Sequence, residues 1–112
     1  MAYPDSAADH ADARVVDEPD ENRFALWIGD VVAGFTTYVR HDDAYALMHT
    51  EVSAEFEGQG LASRLIASTL DQLAAREVKV LPYCPFVQKF LSQHRDYIGL
   101  VAETDRKRFG LG

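Results

Sequence analysis

Two glycines one residue apart, Gly58 and Gly60, stand between a β-rich segment and an apolar-periodic run, and this junction constrains the fold more than any other stretch. Downstream, Leu61, Ala62, Leu65, Ile66, Leu70, Leu73 and Ala74 recur at three-to-four-residue spacing, the signature of a helix with one buried face. Upstream, Tyr45 to Val52 reads as a strand. A strand, a glycine loop and a helix together present unpaired first-turn N–H groups and the positive end of the helix dipole to an anion. Glycine, lacking Cβ, lets the backbone approach a phosphate closely and adopt positive φ. The backbone from Gly58 through Gln59, Gly60, Leu61 and Ala62 to Ser63 is therefore a candidate pyrophosphate cradle. A tight turn with no ligand would use the same glycines, and spacing alone leaves both readings open. No Gly-Lys-Ser/Thr follows, so this is not a nucleotide P-loop. The next strand ends Val80-Leu81-Pro82 without the carboxylate that a dinucleotide fingerprint requires.

With 112 residues, 47% hydrophobic and 26% charged, the composition fits one soluble globular domain. The apolar runs are too short to span a bilayer, and the N-terminus has no basic and apolar signal-peptide regions. The expected location is therefore the cytoplasm, with no membrane partner. A single cysteine excludes an intrachain disulfide and a cysteine-rich zinc site, and no metal is expected. Residues 1–21 carry seven acidic side chains and one basic, which accounts for −6 of the net charge of −7. Such a leader reads as a solvated, disordered tail over Met1 to about Ala13, followed by one folded domain over 14–112. A nearly neutral body offers no basic face to nucleic acid.

Along the chain, Val15-Val16 begins a short edge strand, which Pro19-Asp20 breaks. Phe24, Leu26 and Ile28 alternate with Ala25 and Trp27, and Gly29-Asp30 turns into a β-rich run from Val31 to Arg40, a two-residue hairpin. His41 to Ala44 forms the next turn, before the Tyr45–Val52 strand. After the central helix, Glu77–Leu81 reads as a strand parallel to Tyr45–Val52, because a helix crosses over between them. Pro85 suits the first position of a second helix, on which Phe86, Val87, Phe90, Leu91 and His94 share a face. Tyr97–Ala102 reads as a last short strand and Arg106-Lys107-Arg108 as a basic tail. The expected class is α/β (α+β): a mixed, mainly antiparallel sheet in the order β-β-β-α-β-α-β, with helices packed on it.

Cys84 falls in the turn before the second helix, where the helix dipole favours a reactive thiolate. Ligands of open α/β sheets collect beyond the carboxyl ends of parallel strands, so the Cys84 turn and the glycine loop converge on one cleft. A small buried hydrophobe is the alternative role for Cys84. At the end of the preceding strand, alternation puts His49 and Glu51 on one face and Thr50 on the other. Either His49 or Glu51 is a candidate general base, against the plainer roles of a hydrogen-bonded sheet histidine and a solvated carboxylate.

His49-Thr50-Glu51-Val52, Gly58-Gln59-Gly60-Leu61 and Cys84-Pro85-Phe86 stand in the order and spacing of three motifs in small single-domain GNAT N-acetyltransferases, which this chain resembles from about Arg14 to its end, including Arg108-Phe109-Gly110. The resemblance implies acetyl-CoA as co-substrate and an amine as acceptor. It places the pantetheine against the backbone of Thr50 to Val52, the pyrophosphate on the Gly58–Ser63 loop, and Pro85 and Phe86 beside the cofactor. The wider superfamily begins the loop with Arg or Gln; here Glu57 stands at that position, and only backbone donors remain to hold the phosphates. Two routes are implied: direct attack by the amine with His49 or Glu51 taking its proton, or prior acetylation of Cys84. No extra helix precedes the hairpin, so the acceptor side should be open, suiting a small amine or an exposed protein amine. It would equally suit an acyl-CoA-binding module without turnover.

Overall fold

A computed structural model describes residues 12–112; of the tail expected over Met1–Ala13, residues 1–11 lie outside the described part, and Ala13 is already paired with Ile28. The strands are β1 (Ala13–Glu18), β2 (Arg23–Ile28), β3 (Val31–His41), β4 (Ala44–Val52) and β5 (Lys79–Pro82), and the helices are α1 (Leu61–Ala75), α2 (Pro85–Gln93) and a short α3 (Glu103–Arg106). They form one mixed sheet in the order β1-β2-β3-β4-β5, in which the first four strands make an antiparallel meander and β5 runs parallel to β4. No described helix is long and apolar enough to cross a membrane.

The meander follows from short turns and alternating side chains. Ile28 pairs with Val31 across Gly29-Asp30, and His41 pairs with Ala44 across Asp42-Asp43. Phe24 and Leu26 are fully buried, as alternation requires, and they join Tyr38, Tyr45, Leu47 and Val80 beneath the helices. The apolar stripe of α1 (Leu61, Leu65, Ile66, Leu70 and Leu73) closes that core together with Val87, Phe90 and Leu91 of α2. One polar cluster ties the first strand to the far end of α1. Tyr38 donates to Asp17 at 2.6 Å, Arg76 reaches Asp17 at 2.9 Å, and Arg76 donates to the Tyr45 hydroxyl at 3.0 Å.

Three sequence expectations need correction. The element order is β-β-β-β-α-β-α, because Val15-Val16 belongs to a full six-residue strand paired along its length with β2. Tyr97–Ala102 is not a strand: Arg95–Leu100 is a 3₁₀ helix. Its apolar residues Tyr97, Ile98, Leu100 and Val101 fall at three-residue intervals, which matches three residues per turn rather than alternation. Arg106-Lys107-Arg108 is no loose tail either. It spans the end of α3 and a 3₁₀ turn, with Arg106 donating to the Val101 carbonyl and Arg108 paired with Asp105.

Two bulges interrupt the register. Leu26 pairs with Gly34 and Trp27 with Val32, which leaves Ala33 as an extra residue; Tyr38 pairs with Leu47 and Thr37 with His49, which leaves Met48 as another. Gly34 meets the end of β4 so closely that an added Cβ would stand 2.7 Å from the Glu51 carbonyl oxygen. Gly34→Ala should therefore displace the end of β4 and lower stability by about 1–3 kcal/mol, the cost of overpacking, as read by urea unfolding. A second test is alkaline. Burial first, and then the hydrogen bond to Asp71, push the Tyr97 phenol up to about 12. The fold thus favours the neutral phenol, whose stabilisation is complete below pH about 10 and is lost as pH rises to about 12. Stability should fall less steeply over that range in Tyr97→Phe than in wild type.

Candidate functional site

The site forms where β4 and β5 part. Their parallel pairing runs from Ala44–Lys79 to Leu47–Pro82, and the Cys84 N–H then donates to the Leu47 carbonyl at 2.9 Å. Beyond that point β4 continues through Met48 to Val52 with β3 as its described strand partner. The glycine loop and α1 lie beyond the end of β4, and α2 begins at the end of β5. Two helix N-termini therefore flank the gap.

At the first of these, Gly58 and Gly60 have φ of +80° and +73°, left-handed values that explain the choice of glycine. A Cβ at either position would meet no atom within 4 Å, so the space over the loop is open. Gly60 caps α1 without a side-chain hydrogen bond, and the Arg64 N–H is the one that reaches back to the Gly60 carbonyl. The N–H groups of Leu61, Ala62 and Ser63 precede it and have no helical carbonyl behind them. Val52, Phe56, Glu57, Gly58, Gly60, Leu61, Ala62, Ser63 and Phe86 line a cleft of about 270 Å³. Of the residues expected to bind a cofactor, seven line this cleft; Gln59 sits in the same loop, Pro85 opens α2, and Thr50 lies further back on β4. Phe56 was not foreseen. Its signal was the one large apolar residue in the otherwise small or polar stretch Ser53–Gln59.

The expected catalytic residues fall into two groups on opposite faces of β4. Thr50 faces the helices: its hydroxyl shares a hydrogen bond with Thr36 at 3.0 Å and lies 3.4 Å from Cys84 Sγ. Cys84 is only 4% exposed, and Thr36 is fully buried. His49 and Glu51 face the other way and bond to each other through Nε2 and Oε2 at 2.8 Å, both side chains well exposed. The strand thus brings His49 to Glu51 and Thr50 to Cys84, and it does not bring His49 to Cys84. The thiol meets a neutral hydroxyl, whereas the imidazole–carboxylate pair stands in solvent.

A protein-family model described as GCN5-related N-acetyl-transferase matches residues 23–100. Among solved structures, the fold is similar to the NMR solution structure of a GCN5-like protein from Staphylococcus aureus, described as a candidate N-acetyltransferase. The match has a TM-score of 0.61 and 25% identity, and covers 79% of this chain and 86% of that one. No curated protein matches the sequence.

The loop geometry can be tested with an anion alone. Gly60→Val puts a β-branched residue at φ +73°, a strain of about 1–3 kcal/mol. Inorganic pyrophosphate should shift the amide resonances of Leu61, Ala62 and Ser63 in wild type, and these shifts should be lost in Gly60→Val.

Proposed function

The chain belongs to the GCN5-related N-acetyltransferase family, and from that premise we propose that it transfers an acetyl group from acetyl-CoA to an amine. The observation that carries this reading is the open cleft over two left-handed glycines at an uncapped helix N-terminus, beside the gap between β4 and β5. It suits a diphosphate, since unpaired N–H groups and the helix dipole both favour negative charge there. Gly58 to Ser63 would hold the pyrophosphate, Phe86 and Phe56 would flank the chain that follows, and Thr50 to Val52 would lie along the pantetheine. Glu57 also lines the cleft. Its carboxylate opposes a phosphate, so affinity should rest on backbone donors. Acetyl-CoA supplies an acetyl group activated as a thioester.

The protein's own part is to orient the amine and remove its proton. The exposed His49–Glu51 pair has the chemistry for this: Glu51 attracts the ammonium, and the imidazole with its carboxylate partner takes the proton whose loss frees the nitrogen lone pair. That lone pair attacks the thioester carbonyl, and CoA leaves as the thiolate, which takes up the second proton of the acylated nitrogen. Cys84 suits the covalent route less, being nearly buried and bonded to a neutral hydroxyl. We therefore favour direct transfer, with Cys84 and Pro85 holding the start of α2 against β4.

Calorimetric titration with acetyl-CoA should show saturable binding, and a panel of amines should release free thiol from it. Glu51→Gln and His49→Gln should each lower turnover by about 10²–10⁴-fold, the usual size of a general-base contribution, without changing acetyl-CoA affinity. Cys84→Ala should retain turnover, and intact-mass spectrometry of wild type should show no acetyl adduct. An adduct on Cys84, with turnover lost in the alanine variant, would establish the covalent route instead. Saturable binding with no thiol release from any amine would identify an acyl-CoA-binding module.

A further inference from the structure

We propose that the acceptor is a small primary amine carrying an aryl or branched alkyl group, and that this group sits in a groove on the sheet face turned away from α1 and α2. The proposal rests on the acetyl-transfer reading above and names its substrate class. The groove has a volume of about 260 Å³ and is lined by Val39, His41, Ala46, Met48, Leu81 and Tyr83. Val39, Met48 and Tyr83 are 56%, 43% and 44% exposed, so three of the five large exposed apolar side chains among the described residues gather in this one place. Scattered exposed apolar residues need no explanation, but a clustered set marks a binding surface.

Register fixes where the groove lies relative to the candidate site. Ala46 pairs with Val39 on one side and with Leu81 on the other, so these three share a face. Thr37 is two residues from Val39 on the same strand, and His49 stands opposite Thr37. His49 and Glu51 are therefore on the groove's face, and the extra residue Met48 lies between them and the groove floor. The groove ends where β4 and β5 part, at Leu47–Pro82. Successive residues along a strand advance about 3.3 Å, so a group seated against Met48 leaves room for one or two carbons before a nitrogen reaches His49.

Shape and charge select the occupant. The groove holds one side-chain-sized group and is too small for a peptide segment. One wall is stiff, because Phe109 packs edge-on against the Tyr83 ring at 5.1 Å. Arg108, paired with Asp105, lies over the same ring, 5.9 Å from its centroid. That pairing leaves no net charge beside Tyr83, whereas Glu51 attracts an ammonium, so the apolar group takes the groove and the nitrogen sits at the His49–Glu51 pair.

The test compares phenethylamine and isoamylamine with ethanolamine and putrescine in the thiol-release assay. The two apolar amines should have kcat/KM at least about tenfold higher, the discrimination an apolar pocket supplies. Met48→Glu and Tyr83→Ser should each abolish that preference while the Kd for acetyl-CoA stays within about twofold. A readout free of catalysis is the Met48 methyl, since the chain has only one other methionine, Met1. In protein labelled with ¹³C at the methionine methyls, phenethylamine should shift the Met48 signal and ethanolamine should not. If acetyl-CoA binds but the four amines react alike and the Met48 signal stays still, the groove assignment falls alone. If acetyl-CoA fails to bind, the transfer reading falls and this one with it. A peptide beginning with phenylalanine that outpaces phenethylamine would overturn the small-amine assignment.

Discussion

The arrangement of the whole site depends on how β4 leaves its neighbour. The strand is paired on both sides as far as Leu47, where the Cys84 N–H makes the last bond from the β5 side; Met48 is then squeezed out of the ladder with β3. A bulge adds a residue without adding a pair, so it resets which side chains point which way. Without it, Tyr45, Leu47, His49 and Glu51 would all lie on one face. With it, Thr50 and Val52 take over the helix side, and the imidazole–carboxylate pair is turned into solvent. Gly34 makes this course possible, because only a residue without Cβ fits against the Glu51 carbonyl.

The two ends of the gap are built differently. Left-handed glycines at the start of α1 leave the backbone bare, a surface that attracts anions without side-chain charge. At the start of α2, Cys84 and Pro85 fill the corner: the cysteine is buried against Thr50, and the proline takes a position where no N–H is needed. One helix end is thus open to a ligand while the other is closed by protein.

Much of this was legible in the sequence. The hairpin at Gly29-Asp30, the parallel pairing of β5 with β4, the start of α2 at Pro85 and the apolar stripe of α1 all follow from periodicity and turn chemistry, which act locally. The separation of His49 and Glu51 from Thr50 was also visible, since it needs only alternation. Which face each group occupied was not, because the register skip at Met48 depends on β3 and leaves no mark in the β4 sequence. Val15-Val16 read only as the start of a short edge strand, in an acidic leader broken at Pro19-Asp20. In the fold, Asp17 is engaged by Tyr38 and Arg76, and Glu18 by Arg23 and Trp27, so these carboxylates work inside the structure. The groove was invisible for a similar reason. Its six residues come from three strands and the turn after the last, and each looks ordinary on its own.

The single parallel pairing bears on how the molecule assembles. The meander joins neighbours in sequence through two-residue turns and a short 3₁₀ connection, whereas docking β5 on β4 requires the entire crossover helix to be in place. Contacts between residues close in sequence form fast, and distant ones wait on loop closure. The antiparallel half should therefore order first and the fifth strand last. The gap between β4 and β5 and the Phe86 wall of the cleft form only in that final docking event, so local release of the segment from Lys79 onward would dismantle both while most of the sheet stayed folded.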